Sequence, residues 1–429
     1  MRLPVFSDEG PVGEVLISQD GPSFRYAASW RRARNAYPVS LSMALSQELW
    51  GPETTAPWLM NLLPEGEPLR AMTRALGLAS EDLGGLIAAS GRDLAGALSF
   101  QERGADAGYV AIGDGAALER IIAELPARPF LVGDEGVAMS LAGAQDKLPV
   151  RLSGGSLSVP VNGAASTHIL KPDNPRLPGS VQNEALCMVL ARRCGLPVAE
   201  VTTGLAGARS YLLVTRYDRT VGEGAGRKHQ EDFCQALARP PAAKYQHNGT
   251  GRQGVSLTDM FGVIREQMTA RDTNRFLDAV IFNTAIGNVD AHAKNYSILL
   301  RSDGAALAPL YDLMSGLAWA GITENQAQDI GGQRRGRHIH ARHWRRMAEG
   351  AGLSATATVR RVAGLTERIL AELPRARDEV AAMPAGEGVL LDEFARQIAA
   401  RARTVSLNLH EDGDEAAEDG SGDGGTRYD

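Results

Sequence analysis

The sequence has 429 residues, its 44% hydrophobic fraction is enough for two or three domains with sizeable cores, and its three cysteines are too few for a disulfide framework. The net charge of −6 comes from the end of the chain, because residues 411–429 hold eight acids against one arginine, a net −7 that leaves +1 for the remainder. A near-neutral body does not indicate nucleic-acid binding, and no apolar run reaches the roughly 18 residues of a membrane helix, so we expect a cytoplasmic protein without membrane contact.

The first hundred residues change from strand patterns to helical patterns. Val12, Val15 and Ile17 lie between turn signals and predict a small sheet before residue 30. Leucines at helical spacing between residues 57 and 77 predict a helix, which Asn61-Leu-Leu-Pro-Glu-Gly66 interrupts because proline and glycine break helices. Residues 91–100 predict a glycine-rich turn and a strand, and a short helix is predicted over 116–125.

Two features of the following segment suit phosphate binding. Ser140-Leu-Ala-Gly-Ala-Gln-Asp-Lys147 is a small, flexible stretch before a strand pattern, and such loops can present backbone N–H groups to phosphate oxygens, although an ordinary hairpin is the simpler alternative. Thr167-His-Ile-Leu-Lys171 predicts a strand that ends in a lysine. In kinase-like folds a strand lysine neutralises nucleotide phosphates and is held by a helix glutamate. Glu184, at the start of a helix predicted over 183–194, is the candidate partner of Lys171.

The segment from residue 212 to residue 254 contains one strand and several less regular patterns. Residues 212–218 predict a strand typical of an interlobe hinge, where backbone groups could meet an adenine edge. Residues 222–226 predict a loop, and residues 229–237 predict the start of a helix with an acidic first turn. Residues 240–254 either line a substrate groove or form an exposed connection, and their Pro, Gly, Gln and Asn content favours the exposed connection.

The clearest chemical pattern follows a buried helix. Residues 256–286 predict one helix that Gly287 stops, and a polar cluster from Asp290 to Asn295 comes directly after it. In protein kinases an Asp accepts the proton of the substrate hydroxyl, and an Asn four or five residues later holds Mg²⁺. Asp312, about twenty residues further on, lies where a second metal ligand would be expected. The sequence therefore predicts a phosphotransferase.

The remainder of the chain combines a basic cluster, further helices and an acidic tail. Six arginines surround Trp344 in residues 334–346. They could contact an acidic partner, a tRNA-bound substrate or DNA phosphates, but a solvated face around a helix is the simpler alternative. Helices are predicted to about residue 402, and residues 406–429 are predicted to be a disordered acidic tail.

Seven short motifs occur in a fixed order along the chain. They are Asn61-Leu-Leu-Pro-Glu-Gly66, Gly91-Arg-Asp-Leu-Ala-Gly96, Ser140-Leu-Ala-Gly-Ala-Gln-Asp-Lys147, Thr167-His-Ile-Leu-Lys171, His229-Gln-Glu-Asp-Phe-Cys-Gln235, Asn288-Val-Asp-Ala-His-Ala-Lys-Asn295 and Pro309-Leu-Tyr-Asp312. In this order they resemble the HipA family of bacterial serine/threonine kinase toxins, and the resemblance extends to about residue 405. Each motif is weak alone, whereas the ordered set is specific.

The resemblance implies an α+β, two-lobed protein-kinase-like fold with a small N-terminal subdomain added to the N-lobe. The implied division is an N-terminal subdomain over 1–105, the rest of the N-lobe over 106–220 with a phosphate-covering loop at 140–147, a helical C-lobe over 221–405 with a catalytic loop at 287–295, and the tail over 406–429.

The resemblance also implies roles for individual residues. Asp290 would be the catalytic base, and Asn295 and Asp312 would be the Mg²⁺ ligands. Ser140 would be an autophosphorylation site, where added negative charge would expel the loop from the ATP phosphates by repulsion and by the cost of desolvation. The implied ATP contacts are Lys171, the backbone of Thr215 and Tyr217, the side chains of Gln230 and His292, and the loop residues Ala142, Gly143, Ala144 and Gln145.

The implied activity is that of an ATP- and Mg²⁺-dependent serine/threonine protein kinase, the toxin of a type II toxin–antitoxin module. It would phosphorylate a protein such as an aminoacyl-tRNA synthetase, glutamyl-tRNA synthetase in the best-known branch, and so inhibit translation and growth. The implied partner is a small HipB-like helix-turn-helix antitoxin, through which DNA would be contacted. Two alternatives remain open: a catalytically restrained scaffold or co-repressor with that antitoxin, and a kinase for a small molecule.

Overall fold

The N-terminal part of the chain is built on an antiparallel sheet covered by short helices. The computed structural model describes residues 1–220, 226–251 and 253–410. The elements of this part are β1 (Arg2–Ser7), β2 (Gly10–Ser18), β3 (Gly21–Tyr26), α1 (Ala28–Arg32), β4 (Leu49–Trp50), α2 (Pro52–Met60), α3 (Gly66–Leu76) and α4 (Leu83–Ser90). The four strands lie in the order β1-β2-β3-β4. Phe24, Trp58 and Phe100 pack together in the core between β3 and α2.

A second antiparallel sheet of six strands follows, in the order β5-β7-β6-β8-β10-β9. Its elements are β5 (Gly108–Ala111), α5 (Gly115–Glu124), β6 (Leu148–Ser153), β7 (Ser156–Val161), β8 (His168–Pro172), α6 (Ser180–Arg193), β9 (Val201–Ala206) and β10 (Arg209–Thr215). Side chains alternate between the two faces of a strand. Leu170 and Leu213 therefore enter the core beneath α5, while Leu212, which is paired with Lys171, enters the core of α6 and the following lobe.

The C-terminal lobe is mainly helical and shares one continuous core with α6. Its elements are β11 (His229–Asp232), α7 (Phe233–Ala236), α8 (Leu257–Gln267), α9 (Ala270–Ile286), β12 (Ser297–Arg301), β13 (Gly304–Leu307), β14 (Asn325–Ile330), β15 (Gln333–Arg335), α10 (Ala341–Gly350), α11 (Ala355–Ala381) and α12 (Leu391–Leu407). Short 3₁₀ helices lie at Pro129–Leu131, Pro241–Ala243, Ala293–Asn295 and Gly336–His338. The whole is an α+β fold of two lobes with an added N-terminal subdomain.

The structure corrects several sequence predictions. The predicted helix start at residues 229–237 is wrong in its first half, because β11 pairs with β12 and only then does Asp232 cap the single turn of α7. The single helix predicted over 256–286 is two helices, since Thr269 and Asp272 form a capping box that begins α9. Residues 91–100 make only isolated bridges, at Asp93 and Ser99, instead of a strand.

The ends of two further predictions fall at the edge of the described chain. The predicted loop at 222–226 lies, except for Gly226, outside the described residues, as does the predicted tail from residue 411 onward. The tail boundary at 406 is too early, because α12 runs to Leu407 and Leu409 is still buried. None of the helices in the described part of the chain combines the length and the apolar character that crossing a bilayer needs.

Candidate active site

A cleft between the six-stranded sheet and the helical lobe brings together almost all of the predicted site residues. It is lined by Ala142, Gly143, Ala144, Gln145, Lys171, Glu184, Thr215, Tyr217, Gln230, Asp290, His292, Asn295 and Asp312. Ser140 is the predicted residue that does not line the cleft, because its side chain is buried under the loop. Residues from the N-terminal subdomain, Asn61 and Leu62, also line it, which no sequence pattern indicated.

The loop that carries Asp290 is fixed by its own polar side chains. Helix α9 ends at Gly287, whose φ of 72° and close approach to Leu317 leave no room for a side chain. The Asn288 side chain accepts a hydrogen bond from the Asp290 N–H at 3.1 Å. The Asn295 side-chain amide donates to the Asp290 carbonyl at 2.9 Å, which joins the two ends of the predicted catalytic loop. The spacing of five residues therefore brings both side chains to one edge of the cleft.

Tyr245 is a site residue that the sequence did not single out. Its hydroxyl donates to Asp290 Oδ1 at 2.5 Å. The preference for an exposed connection over 240–254 is wrong at this point, because Lys244 is buried and its carbonyl accepts bonds from the Ala293 N–H and the Gln328 amide. An aromatic residue within a polar loop was the one available signal.

Lys171 joins the two sides of the cleft. Its ammonium lies 2.8 Å from Glu184 Oε1 on α6 and 2.5 Å from Asp312 Oδ1. Burial alone would lower the pKa of Lys171, but the carboxylates of Asp312 and Glu184 raise it above its usual value. Burial opposes ionisation of Asp312 as well, yet the charges of Lys171 and Lys147 lower the pKa of Asp312 to about 2. Lys171 and Asp312 are therefore charged partners at neutral pH in the geometry that phosphate-binding lysines adopt, whereas burial raises the pKa of Glu184 above its usual value.

Asp312 has an unusual backbone conformation, with φ of 57° in the left-handed region. Aspartate tolerates this region better than most residues, but it costs free energy and needs support from the surroundings. The support comes from α6, since the Asn183 side chain accepts from the Ser315 N–H at 2.8 Å and donates to the Ser315 carbonyl at 3.0 Å. Helix α6 therefore positions both Glu184 and the segment that carries Asp312.

The donor set opposite Lys171 fits Mg²⁺. Because the Asn295 amide nitrogen is engaged with Asp290, its oxygen is the atom left to bind a cation, and Asp312 has a second carboxylate oxygen beside the one that meets Lys171. Mg²⁺ prefers oxygen ligands and in kinases completes its shell with phosphate oxygens and water. Within the described residues no group of three His, Cys, Asp or Glu side chains could hold a metal alone. Asn295 and Asp312 would supply two oxygen ligands, and nucleotide phosphates and water would supply the others.

The hinge segment after β10 presents backbone groups in an alternating pattern. The Thr215 N–H donates to the Glu200 carbonyl, and the Arg216 N–H donates to the Thr167 carbonyl on the opposite edge. Thr215 and Tyr217 both line the cleft, and the Thr215 carbonyl and the Tyr217 N–H remain the predicted contacts of the adenine. That pair is one acceptor and one donor, which is what an adenine edge requires. The Tyr217 hydroxyl donates to the Gln230 side chain beside them.

The predicted phosphate-covering loop is held together by Lys147 at its end. The Lys147 ammonium donates to the Ala142 carbonyl at 2.6 Å, and Gly143 has φ of 102°, which favours glycine. Burial, followed by repulsion from Lys171, lowers the pKa of Lys147 to about 8. Lys147 was not among the predicted ligands, although a lysine at the end of a Gly-Ala loop is a usable signal. Ser140 is fully buried, and its hydroxyl donates to the Leu62 carbonyl at 3.0 Å.

The two sides of the cleft thus carry different groups. The side formed by the sheet carries groups that suit phosphate oxygens, and the side formed by the helical lobe carries oxygen ligands and a candidate base. That division within a two-lobed fold defines the class of protein-kinase-like phosphotransferases. Residues 3–101 match the HipA N-terminal domain and residues 139–376 match the HipA-like C-terminal domain. The chain belongs to the HipA family, and by class it is a kinase.

Two relatives and one solved structure support this assignment. "Putative kinase Y4mE" of Sinorhizobium fredii is 36% identical over 420 residues, which are 95% of this chain and 99% of the relative. The "Serine/threonine-protein kinase toxin HipA" of Shewanella oneidensis is 30% identical over 389 residues, which are 87% of each chain. A solved complex of Shewanella oneidensis HipA with HipB and its operator DNA has a TM-score of 0.83 and 27% identity, covering 94% of this chain and 96% of that one.

Proposed function

We propose that this protein transfers the γ-phosphoryl group of ATP to a serine or threonine hydroxyl of another protein, with Mg²⁺. The observation that carries the proposal is the bridge from Lys171 to Glu184 and Asp312, at 2.8 and 2.5 Å, because it joins the phosphate-binding lysine to a metal-ligand candidate across the cleft. A scaffold would have no need to leave the Asp312 carboxylate of this bridge 34% exposed.

In the proposed mechanism each group has a separate task. Lys171, Lys147 and the backbone of residues 142–145 hold the phosphates, and the Thr215 carbonyl and Tyr217 N–H hold the adenine. Asn295 and Asp312 would hold Mg²⁺, which supplies positive charge to the phosphate oxygens. The target hydroxyl oxygen forms a bond to the γ-phosphorus, the bond from that phosphorus to the β–γ bridging oxygen breaks, ADP leaves, and the hydroxyl proton passes to Asp290.

The transfer can be tested with the Asp290→Asn variant, which keeps the shape of the side chain but removes the base. Wild-type protein incubated with a bacterial lysate, Mg²⁺ and γ-labelled ATP is expected to label at least one protein. The Asp290→Asn variant is expected to label the same protein at least about 100-fold more slowly. Intact-mass measurement of the kinase itself reports autophosphorylation in the same samples. Equal labelling by the two proteins, or none by the wild type, would exclude the proposed reaction.

We further propose that the kinase is the toxin of a toxin–antitoxin module with a HipB-like partner. The support is the similarity of this chain to the serine/threonine-protein kinase toxin HipA of Shewanella oneidensis, and the assembly of the similar Shewanella oneidensis protein with HipB and operator DNA. DNA would be reached through that partner. Trp344 is fully buried, so the basic cluster of residues 334–346 offers arginines without an exposed aromatic platform.

We propose an aminoacyl-tRNA synthetase as the substrate, which is the class that the resemblance to the HipA family implies. Phosphoproteomics after induced expression, with Asp290→Asn as the matched control, would identify the substrate. Growth arrest by the wild type but not by Asp290→Asn supports the toxin. Equal arrest by both proteins would favour the scaffold or co-repressor, and labelling confined to metabolites would favour the small-molecule kinase.

Ser140 is proposed as an autophosphorylation site that switches the enzyme off. Its buried hydroxyl donates to the Leu62 carbonyl, and a phosphate of nearly two negative charges could not occupy that position, so the loop would leave the cleft. Prolonged incubation with ATP is expected to abolish nucleotide binding by the wild type and to spare Ser140→Ala. Phosphate mapped only to other serines would remove this model.

A further inference from the structure

The segment between α2 and α3, residues 61–66, enters the catalytic cleft from the N-terminal subdomain. We call it the bridging segment. The Lys294 ammonium, inside the predicted catalytic loop, donates to Asn61 Oδ1 at 2.6 Å and lies 3.5 Å from Glu65 Oε1. Asp232 of β11 completes the surroundings at 3.2 Å. The side chain of Lys294 is only 3% exposed, so these contacts hold it entirely inside the protein.

The bridging segment also contacts the phosphate-covering loop. The Glu65 N–H donates to the Gly143 carbonyl at 3.2 Å, Pro64 and Gly143 form a parallel bridge, and the Leu62 carbonyl accepts the Ser140 hydroxyl. The loop over the phosphates and the loop with the candidate base are therefore both attached to the bridging segment.

Glu65 is a counter-ion shared by two buried lysines. It lies 3.1 Å from Lys244 and 3.5 Å from Lys294, and its side chain is 17% exposed. Burial alone would raise the pKa of Glu65, but the charges of Lys294 and Lys244 lower it below its usual value. Both lysines are connected to the catalytic loop. Lys294 belongs to it, and the Lys244 carbonyl accepts a hydrogen bond from the Ala293 N–H. Removing the charge of Glu65 leaves one carboxylate, Asp232, for Lys294, and Asn61 becomes its remaining contact in the subdomain.

We propose that Glu65 and Asn61 are positioning residues for phosphotransfer, which hold Lys294 and so set the separation of Asp290 and Asn295. The N-terminal subdomain is then part of the active site, and closure of the phosphate-covering loop and alignment of the catalytic loop depend on one another. This inference rests on the proposed function for its kinetic consequence, but its structural consequence can be measured without turnover.

The test compares Glu65→Gln with Glu67→Gln, two residues away, whose carboxylate forms a surface pair with Arg70 and is 63% exposed. Glu65→Gln is expected to lower kcat by about 10- to 100-fold, the size expected when a reacting group is displaced by about 1 Å. The KM for ATP should rise by a smaller factor, because the loosened phosphate-covering loop is only one of the nucleotide contacts. Glu67→Gln should match the wild type. An unchanged kcat, or equal losses in kcat and ATP affinity, would overturn the inference.

Hydrogen exchange of the backbone amides tests the structural consequence of the substitution without requiring kinase activity. Glu65→Gln is expected to speed exchange in residues 290–295 and 140–147 and to leave α11 unchanged, whereas identical exchange in both loops would refute the coupling. Asn61→Ala, which removes the other acceptor of Lys294, serves as the second variant if Glu65→Gln does not fold. A wild type that transfers no phosphate would overturn the proposed function, and the exchange result would still decide the inference.

Discussion

The protein has one ionic cluster in the cleft and another at the hinge, and the two differ in how far their side chains are exposed. The cleft cluster is Lys171, Glu184 and Asp312, and the Asp312 side chain is 34% exposed. The hinge cluster is Asp93, Arg216, Asp218 and Arg219, in which every side chain is at most 4% exposed. The hinge cluster holds the N-terminal subdomain to the hinge. In the cleft cluster, a bound ligand can take the place of one of the ion-pair partners. The comparison separates charge used for stability from charge available for binding.

The largest expected effect on stability comes from opening the hinge cluster. Asp93 accepts from Arg219 at 2.9 Å and from the Ser166 N–H at 3.1 Å, and two further arginines lie nearby. Asp93→Asn leaves a buried excess of positive charge, and we expect it to lower the free energy of unfolding by about 3 kcal/mol. Asp303→Asn, which breaks the exposed pair with Arg301, is the control and should cost less than about 1 kcal/mol. Urea unfolding measures both, and equal losses would remove the distinction between buried and open pairs.

Substitution in the cleft cluster should affect phosphate transfer more than stability. Lys171→Met removes the proposed phosphate contact, and we expect phosphate transfer to fall by about 100-fold or more. The loss of unfolding free energy should be smaller than for Asp93→Asn, because burial already raises the pKa of Glu184 and that carboxyl can take up a proton. Arg176→Met, on an exposed turn before α6, is the matched control for loss of a positive charge. A variant that unfolds easily but retains normal transfer would contradict the functional assignment of Lys171.

A smaller effect is expected at Lys147. Because its pKa is lowered to about 8, its ammonium is charged below that pH and neutral above it. The affinity for ATP should therefore weaken several-fold as the pH rises from 7 to 9, and this dependence should be lost in Lys147→Met. Calorimetric titration at several pH values measures it. The same slope in the wild type and the variant would assign the pH effect to another group.

The sequence was informative where the chemistry is local along the chain. Asp290 and Asn295 lie in one loop, and the motif of Lys171 ends a strand, so spacing and pattern alone indicated phosphate chemistry. Lys171 and Glu184 are also close in sequence, and their 2.8 Å contact needs only a strand followed by a helix. The two-lobed fold, in contrast, was implied by the resemblance to the HipA family.

The missed features depend on contacts between distant segments. Asn61 and Lys294 are 233 positions apart, so no periodicity links them. Tyr245 lies in a loop whose composition favours exposure, and only the packing of that loop against Ala293 and Gln328 brings it to Asp290. Strand β11 has four residues, too few for an alternating pattern, and it exists because β12 pairs with it. In each case the tertiary partner determined the outcome.

The measurement that tests the central claim most directly is equilibrium binding of Mg²⁺-ATP to Asp290→Asn and Lys171→Met, set beside their rates of phosphate transfer. If the catalytic base and the phosphate-binding groups are separate in the cleft, Asp290→Asn should bind ATP with an affinity within about twofold of the wild type. It should transfer the phosphoryl group about 100-fold more slowly. Lys171→Met should lose affinity and transfer together. Undiminished transfer by Asp290→Asn, or undiminished ATP binding and transfer by Lys171→Met, would contradict the account.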